Sequence, residues 1–234
     1  MRLSIATYNI HSCVGIDGRY DPDRTLDVLR ELDADVIALQ EVDSREHKGL
    51  ELLACLAHES GFEAIPGPTL LRRTGRFGNA ILTRLKIHQT RRLDLTYAGR
   101  EPRGAIDVEL ECGDIRLQVI ATHLGLKPAE RRTQVKQLLD RFETKHCVLM
   151  GDLNEWFLWG RPLRWLQAIF GKMPAPLTFP ARYPILALDR IWVRPLDSLV
   201  SLHVHATPLA QVASDHLPLK AVIHCLPDTG KKSP

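Results

Sequence analysis

Residues 3–8 (LSIATY), 21–32 (DPDRTLDVLREL) and 36–39 (VIAL) read in succession as strand, helix and strand. The outer two are short β-favouring or apolar runs, too short to make helices. Between them Asp21 has the side chain of a helix N-cap. Pro22 suits the first helical turn, where a missing N–H costs nothing. Leu26, Leu29, Arg30 and Leu32 carry the helical spacing, and Ala34-Asp35 breaks it. A strand–helix–strand unit within about 40 residues favours two parallel strands, and so predicts an α/β fold.

Outward from that unit, residues 49–60 read as a second helix with Leu52, Leu53, Leu56 and Ala57 on its buried stripe. Residues 79–83, 86–93, 104–111 and 115–122 read as strands, with Cys112-Gly113-Asp114 turning a hairpin. A charged helix is expected over 128–142, with Leu138 and Leu139 inward, and an apolar strand over 147–150. Residues 154–184 are rich in proline and tryptophan and yield only a short helix around 162–170, then an irregular loop. Strands resume at 186–193, 199–205 and 219–224. The polar, lysine-bearing end, 227–234, reads as a disordered tail, leaving one mixed α/β domain over 1–226.

The 234 residues suffice to bury a sizeable core. Hydrophobic residues at 44% and charged residues at 25% are those of an ordinary globular chain. A net charge of +3 neither demands nor excludes a polyanionic partner. No run of about 18 apolar residues occurs, so no membrane span is expected, and the N-terminus lacks the pattern of a secretory signal. The five cysteines, Cys13, Cys55, Cys112, Cys147 and Cys225, form no CxxC pair. Their odd number and wide spacing argue against a disulfide framework and a zinc knuckle, so a reduced, cytoplasmic, monomeric protein is expected.

Polar residues recur where the apolar runs end. Asn9 ends the first strand, Gln40-Glu41 the second, His123 the strand at 115–122, and Asp152 and Asn154 the strand at 147–150. Asp215-His216 precedes the last strand. Open sheets place ligand sites at strand ends, where side chains far apart in sequence converge. Glu41, Asp152 and Asp215 are hard oxygen ligands suited to Mg²⁺, with Mn²⁺ or Ca²⁺ as alternatives. Asn9 and Asn154 add neutral amides. His123 and His216 can move a proton or donate to a phosphate. Asp189, a carboxylate inside an apolar strand, needs a partner, and a histidine would serve.

The set TYNIH (7–11), IALQEVD (37–43), GNAIL (78–82), EPRGA (101–105), THLGL (122–126), GDLNEW (151–156), LDRIWV (188–193) and SDHLPL (214–219) resembles the endonuclease/exonuclease/phosphatase superfamily, in the family's order and over nearly the whole chain. The resemblance implies a four-layer α/β/β/α sandwich, two packed mixed β-sheets flanked by helices. It implies a divalent-metal-dependent phosphodiester hydrolase with Glu41 as principal Mg²⁺ ligand, Asn9 close by, and Asp215 as a further metal-site carboxylate. Asp152 would orient or deprotonate the attacking water, and Asn154 would hold the phosphate. His216 would contact the phosphate or act as general base, its tautomer set by Asp189. His123 stands where deoxyribonuclease I-type and sphingomyelinase-type members carry a histidine, as a catalytic group or phosphate contact.

Arg103, or its neighbour Arg100, reads as a bidentate phosphate clamp, and Asn79 of GNAIL as a further phosphate contact or a turn residue. The basic run Arg72–Arg76 reads as a solvated hairpin loop or a phosphate-contacting rim. His11 is given a structural role. Trp156, Phe157, Trp159 and Trp165 read as a satellite core under a long loop, with a lipid-facing rim or a base-stacking platform as alternatives. The substrate stays open between nucleic acid and a phospholipid or other small phosphodiester, with a catalytically silent binding domain as the third reading.

Overall fold

The apolar runs fold into two sheets. The computed structural model describes residues 1–72 and 75–225. In chain order the elements are β1 (Arg2–Asn9), α1 (Pro22–Leu32), β2 (Val36–Asp43), the short pair β3 (Glu46–His47) and β4 (Leu50–Glu51), α2 (Leu52–Ser60), β5 (Glu63–Arg72), β6 (Gly75–Thr83) and β7 (Ile87–Asp94). There follow β8 (Gly104–Cys112), β9 (Ile115–His123), α3 (Pro128–Leu139), β10 (Cys147–Asp152), α4 (Arg161–Phe170), β11 (Asp189–Arg194), β12 (Leu199–Val204), α5 (Ala210–Ala213) and β13 (Leu219–His224). One sheet has the order β12-β13-β1-β2-β6-β5 and the other β11-β10-β9-β8-β7. Both are mixed. β1 runs parallel to β2, and β9 to β10, as the strand–helix–strand reading of the N-terminal unit requires.

The period-2 alternation of each strand sorts its side chains into layers. Leu3 and Ile5 of β1, with Val36 and Ala38 of β2, face Val119 and Ala121 of β9 and Val148 and Met150 of β10 in the seam between the sheets. The opposite faces are closed by helices. Ala6 and Tyr8 pack with Leu26, Leu29 and Leu56 of α1 and α2. Ile120 and Leu149 pack with Val135, Leu138 and Leu166 of α3 and α4. Burial on both faces explains why the central strands read as unbroken apolar runs. The result is the expected four-layer α/β/β/α sandwich.

Local choices agree with this frame. Asp21 caps α1 by accepting from the Arg24 amide at 3.0 Å, and Pro22 follows it. Differences from the sequence reading have physical causes. β5 is obscured by Pro66, Gly67 and Pro68, which an edge strand tolerates because one row of its N–H groups needs no partner. The helix expected from residue 49 begins at Leu52, because residues 46–51 pair as a small hairpin. α3 stops at Leu139, and the strand expected at 186–193 begins at Asp189. The tail expected over 227–234 lies outside the described residues, as does part of the basic run between Arg72 and Arg76.

The cysteines require a correction. Cys112, at the end of β8, is disulfide-bonded to Cys225, just past β13. Wide spacing in sequence argued against pairing, but the two strands end on the same side of the sandwich. Cys13, Cys55 and Cys147 are free. Thiol titration of the unfolded, unreduced protein should therefore give three groups, rising to five after reduction. Replacing Cys225 by serine should cost about 2–4 kcal/mol in urea denaturation without reductant, and little with it.

Gly151 makes the approach to Asp152 possible. Its φ is +146°, and a Cβ there would lie 1.8 Å from the Thr122 carbonyl oxygen on the paired strand. Gly151→Ala should lower stability by about 2 kcal/mol or more through backbone strain and displacement of β9, measured by urea denaturation.

Candidate active site

The inward-facing register that fills the seam with Ile5, Val119, Val148 and Ile191 runs on to the strand ends, where the residues become polar. Asn9 ends β1, His123 ends β9, Asp152 ends β10 and Asp189 begins the antiparallel β11. Each shares a face with the seam residues of its own strand, so the four converge at one end of the sandwich.

Glu41 reaches this point by a different device. Continued alternation along β2 would carry residue 41 to the helix-covered face with Ile37 and Leu39. A β-bulge intervenes: Leu39 pairs with Ala80, but Val42 pairs with Gly78, so Gln40 and Glu41 together oppose Asn79. Glu41 takes φ +58°, a left-handed conformation costly for a residue with a side chain. The side chain is thereby turned to Asn9, whose Nδ2 donates to Glu41 Oε1 at 3.1 Å and to Asp152 Oδ2 at 3.2 Å.

Asp152 is the hub. Beyond the Asn9 amide, its Oδ2 has His123 Nε2 at 3.4 Å and His216 Nε2 at 3.7 Å. Its Oδ1 accepts from the Asn154 backbone N–H at 2.9 Å. Asn154 also takes a left-handed φ, +51°, and its amide donates to the Leu124 carbonyl at 3.0 Å, which fixes it in the cleft wall.

His216 is held from behind. Its Nδ1 lies 2.8 Å from Asp189 Oδ2, and the Thr178 hydroxyl donates to that same oxygen at 2.6 Å. Phe179 packs on the imidazole with ring centroids 4.8 Å apart. Burial opposes a charge on His216, but the Asp189 carboxylate outweighs it, helped by Asp152 and Asp215, and holds the imidazolium up to about 10. Burial takes His123 the other way, down to about 3, with Arg103 and His216 adding to the effect against the pull of Asp152. One histidine is thus kept charged and the other neutral near pH 7.

These side chains line a cleft of about 310 Å³ that includes Glu41, Arg103, His123, Asp152, Asn154 and His216. Arg103 is buried there. Its guanidinium lies 3.3 Å from His123 Nδ1 and 3.8 Å from Glu101 Oε2, and its Nε has no hydrogen-bond partner among the described residues. Arg100, the alternative clamp, instead pairs with Glu130 at 3.3 Å. Asp215 is half-exposed, with the Ser214 hydroxyl at 3.4 Å and His11 Nδ1 at 3.8 Å. The Ser214 hydroxyl also bonds the Asn9 carbonyl, at 2.7 Å, which ties the loop before β13 to the end of β1. Asn79 opposes the bulge, donates to the Gly104 carbonyl at 3.0 Å and lines a neighbouring cavity. His11 bonds the Val14 carbonyl, and its charge bears on Glu41.

Two groups could hold a cation. Asp152, Asp189 and His216 offer one donor atom each within 4.8 Å of one another. There, however, Asp189 and the His216 Nδ1 are committed to each other, and a charged imidazole is a poor ligand. The second group fits better. Burial pushes the Glu41 carboxyl up, and the nearby Asp215 and Asp152 carboxylates push it further, against the Asn9 amide and His11. Glu41, with Asp152 and Asp215 near enough to act on it and no described lysine or arginine paired to it, suits a hard divalent ion.

Thr178, Phe179 and Ser214 were missed by the sequence reading. The first two lie in the stretch that yielded no pattern, and only the fold brings them to His216. Trp156 and Phe179 line the cleft, while Trp156, Phe157, Leu158 and Trp159 are exposed. The expected satellite core is corrected for Trp156, Phe157 and Trp159, which are exposed, whereas Trp165 is half-buried and packs against the core under α3 and α4.

The family model described as Endonuclease/Exonuclease/phosphatase family matches residues 6–216. The uncharacterized protein YbhP of Escherichia coli (strain K12) is 29% identical over 247 aligned positions, covering 95% of this chain and 96% of that protein. An endonuclease/exonuclease/phosphatase from Beutenbergia cavernae superposes with TM-score 0.79 at 22% identity, covering 95% of this chain and 71% of that one. The human Nocturnin catalytic domain, with bound sulfate anion, superposes with TM-score 0.72 at 18% identity over 95% of this chain and 93% of that one. Motif order, four-layer architecture and family model agree: the chain belongs to the endonuclease/exonuclease/phosphatase family.

Proposed function

We propose that the chain is a divalent-metal-dependent phosphodiester hydrolase. The observation that carries the reading is the division of the cleft. Glu41 and Asp152 share the Asn9 amide, with Asp215 near enough to act on Glu41, while Arg103 and the charged His216 line the same cleft. Members of the family are typically hydrolases acting on phosphodiesters, and are generally divalent-metal dependent.

Glu41, Asn9 and Asp215 would hold the cation, Mg²⁺ before Mn²⁺ or Ca²⁺. When bound, it supplies positive charge against the phosphate oxygens as negative charge develops on them. Asp152, held by Asn9 and the Asn154 amide, orients the attacking water and accepts its proton. Arg103, whose guanidinium lines the cleft, donates to a phosphate oxygen. His216, kept charged by Asp189, donates to a second oxygen rather than serving as the base, and the Thr178–Asp189 bond keeps its ring in position. His123 is neutral and lies between Arg103 and Asp152, where its Nδ1 accepts from Arg103 and its Nε2 faces Asp152, so that it couples the two. Asn154 closes the wall beside the phosphate, and Asn79 braces the bulge that aims Glu41. Nucleic acid and small or lipid phosphodiesters remain the substrate classes. The catalytically silent reading is disfavoured by the intact set of carboxylates and histidines.

Asp152→Asn removes the proton acceptor while keeping shape. It should lower kcat on bis-p-nitrophenyl phosphate by about 10²–10⁴-fold with an unchanged circular dichroism spectrum; wild-type turnover in that variant would sink the assignment. Mg²⁺ at about 100 times its Kd should raise the melting temperature of the wild type by on the order of 5–10 °C. Glu41→Gln should abolish that rise while leaving the metal-free protein at least as stable, since it removes a buried charge. A full Mg²⁺ response in the variant would place the cation elsewhere.

A further inference from the structure

We propose that the rim of the cleft formed by residues 156–159 docks the protein on an anionic phospholipid bilayer. Trp156, Phe157, Leu158 and Trp159 are consecutive, and are 59%, 53%, 59% and 72% exposed. They follow Glu155, whose carboxylate is anchored by Arg131 at 3.1 Å, and end at Gly160, where α4 begins. The turn is therefore held at both ends while more than half of each residue stays exposed. Phe157 and Trp159 pack on each other with ring centroids 5.5 Å apart, forming a single apolar knob.

The knob is continuous with the cleft. Trp156 lines it, beside Leu126, which is 64% exposed, and Phe179. Phe179 begins the loop that carries Tyr183 and Ile185, both 71% exposed. Exposed apolar side chains collected around a polar cleft mark a surface made to be covered.

Charge selects the occupant. From residue 156 to residue 188 the sequence has no aspartate or glutamate, but it has Arg161, Arg164, Lys172 and Arg182. All four are exposed, and none is ion-paired with a described residue. Lys127, next to Leu126, is exposed as well. Tryptophan and phenylalanine on a segment whose exposed cations have no acidic partner suit the boundary between headgroups and acyl chains, where the rings enter and the cations meet lipid phosphates. A single-stranded nucleic acid would use the aromatic rings but give Leu126, Leu158 and Ile185 nothing to stack on. The docking rests on the hydrolase reading only for its purpose, which is to bring the cleft to phosphodiesters at a lipid surface.

The test uses the full chain in flotation with vesicles of phosphatidylglycerol and phosphatidylcholine, and with phosphatidylcholine alone. The wild type should float with the anionic vesicles, with a blue-shifted tryptophan emission, and less so at high salt. The variant Phe157→Ser/Leu158→Ser/Trp159→Ser should bind them at least about tenfold more weakly while hydrolysing soluble bis-p-nitrophenyl phosphate at the wild-type rate. Arg161→Gln/Arg164→Gln/Arg182→Gln should lose the preference for anionic lipid. Asp152→Asn should float like the wild type. Equal vesicle binding by the wild type and the triple serine variant would overturn the proposal. So would tight binding of single-stranded oligonucleotide without vesicle binding, or a wild-type dimer that the serine variant disperses. Vesicle binding by a protein inactive on every phosphodiester would remove the hydrolase reading and leave the docking surface standing.

Discussion

At the cleft, the Asn9 side-chain amide bridges the two sheets. Asn9 belongs to the six-stranded sheet and Asp152 to the five-stranded one, and the Asn9 Nδ2 donates to Asp152 and Glu41 at once. A hydrogen bond to a charged group contributes about 1.5–3 kcal/mol, which is too little to hold two sheets together. The apolar seam of Ile5, Val119, Val148 and Ile191 does that. The amide instead fixes the distance between two carboxylates that would otherwise repel each other, the pair to which the proposed cation and water are assigned. Everything around it maintains that spacing: the Ser214 bond to the Asn9 carbonyl, the Asn154 bond to Asp152, and the bulge that turns Glu41 inward.

The two histidines show how environment divides similar side chains between roles. Both are buried beside Asp152. His216 has a second carboxylate, Asp189, directly behind it, and is kept charged; His123 has Arg103 instead, and is kept neutral. The difference lies in neighbours contributed by distant strands. A charged donor and a neutral one on either side of Asp152 suit the binding of a phosphate whose negative charge grows during attack.

The proposed reaction and the proposed docking fall on separate parts of the fold. The polar groups stand on strand ends, where packed sheets hold them rigidly. The exposed rim stands on the loop between β10 and α4 and on the loop leading into β11, which can vary in length and composition without disturbing the seam. The disulfide between Cys112 and Cys225 lies at the ends of β8 and β13, away from the residues that line the cleft.

The strand–helix–strand start, the parallel pairing of β1 with β2, and the polar residues that end the apolar runs are all local features, legible because hydrophobic period and capping chemistry act over a few residues. They were enough for the α/β class and, with the resemblance, for the family and the list of candidate site residues. Tertiary structure alone decided the rest. Alternation along β2 sends Glu41 to the wrong face until a bulge opposite Asn79 corrects it, and a bulge is a property of two paired strands. Edge position is what admits the prolines of β5. The pairing of Cys112 with Cys225 depends on where two remote strands end. Thr178 has no meaning in a proline-rich stretch until Asp189 is beside it. Even the Trp156–Trp159 run, apolar in sequence and so expected to be buried, became a surface because no element of the sandwich lies over its turn.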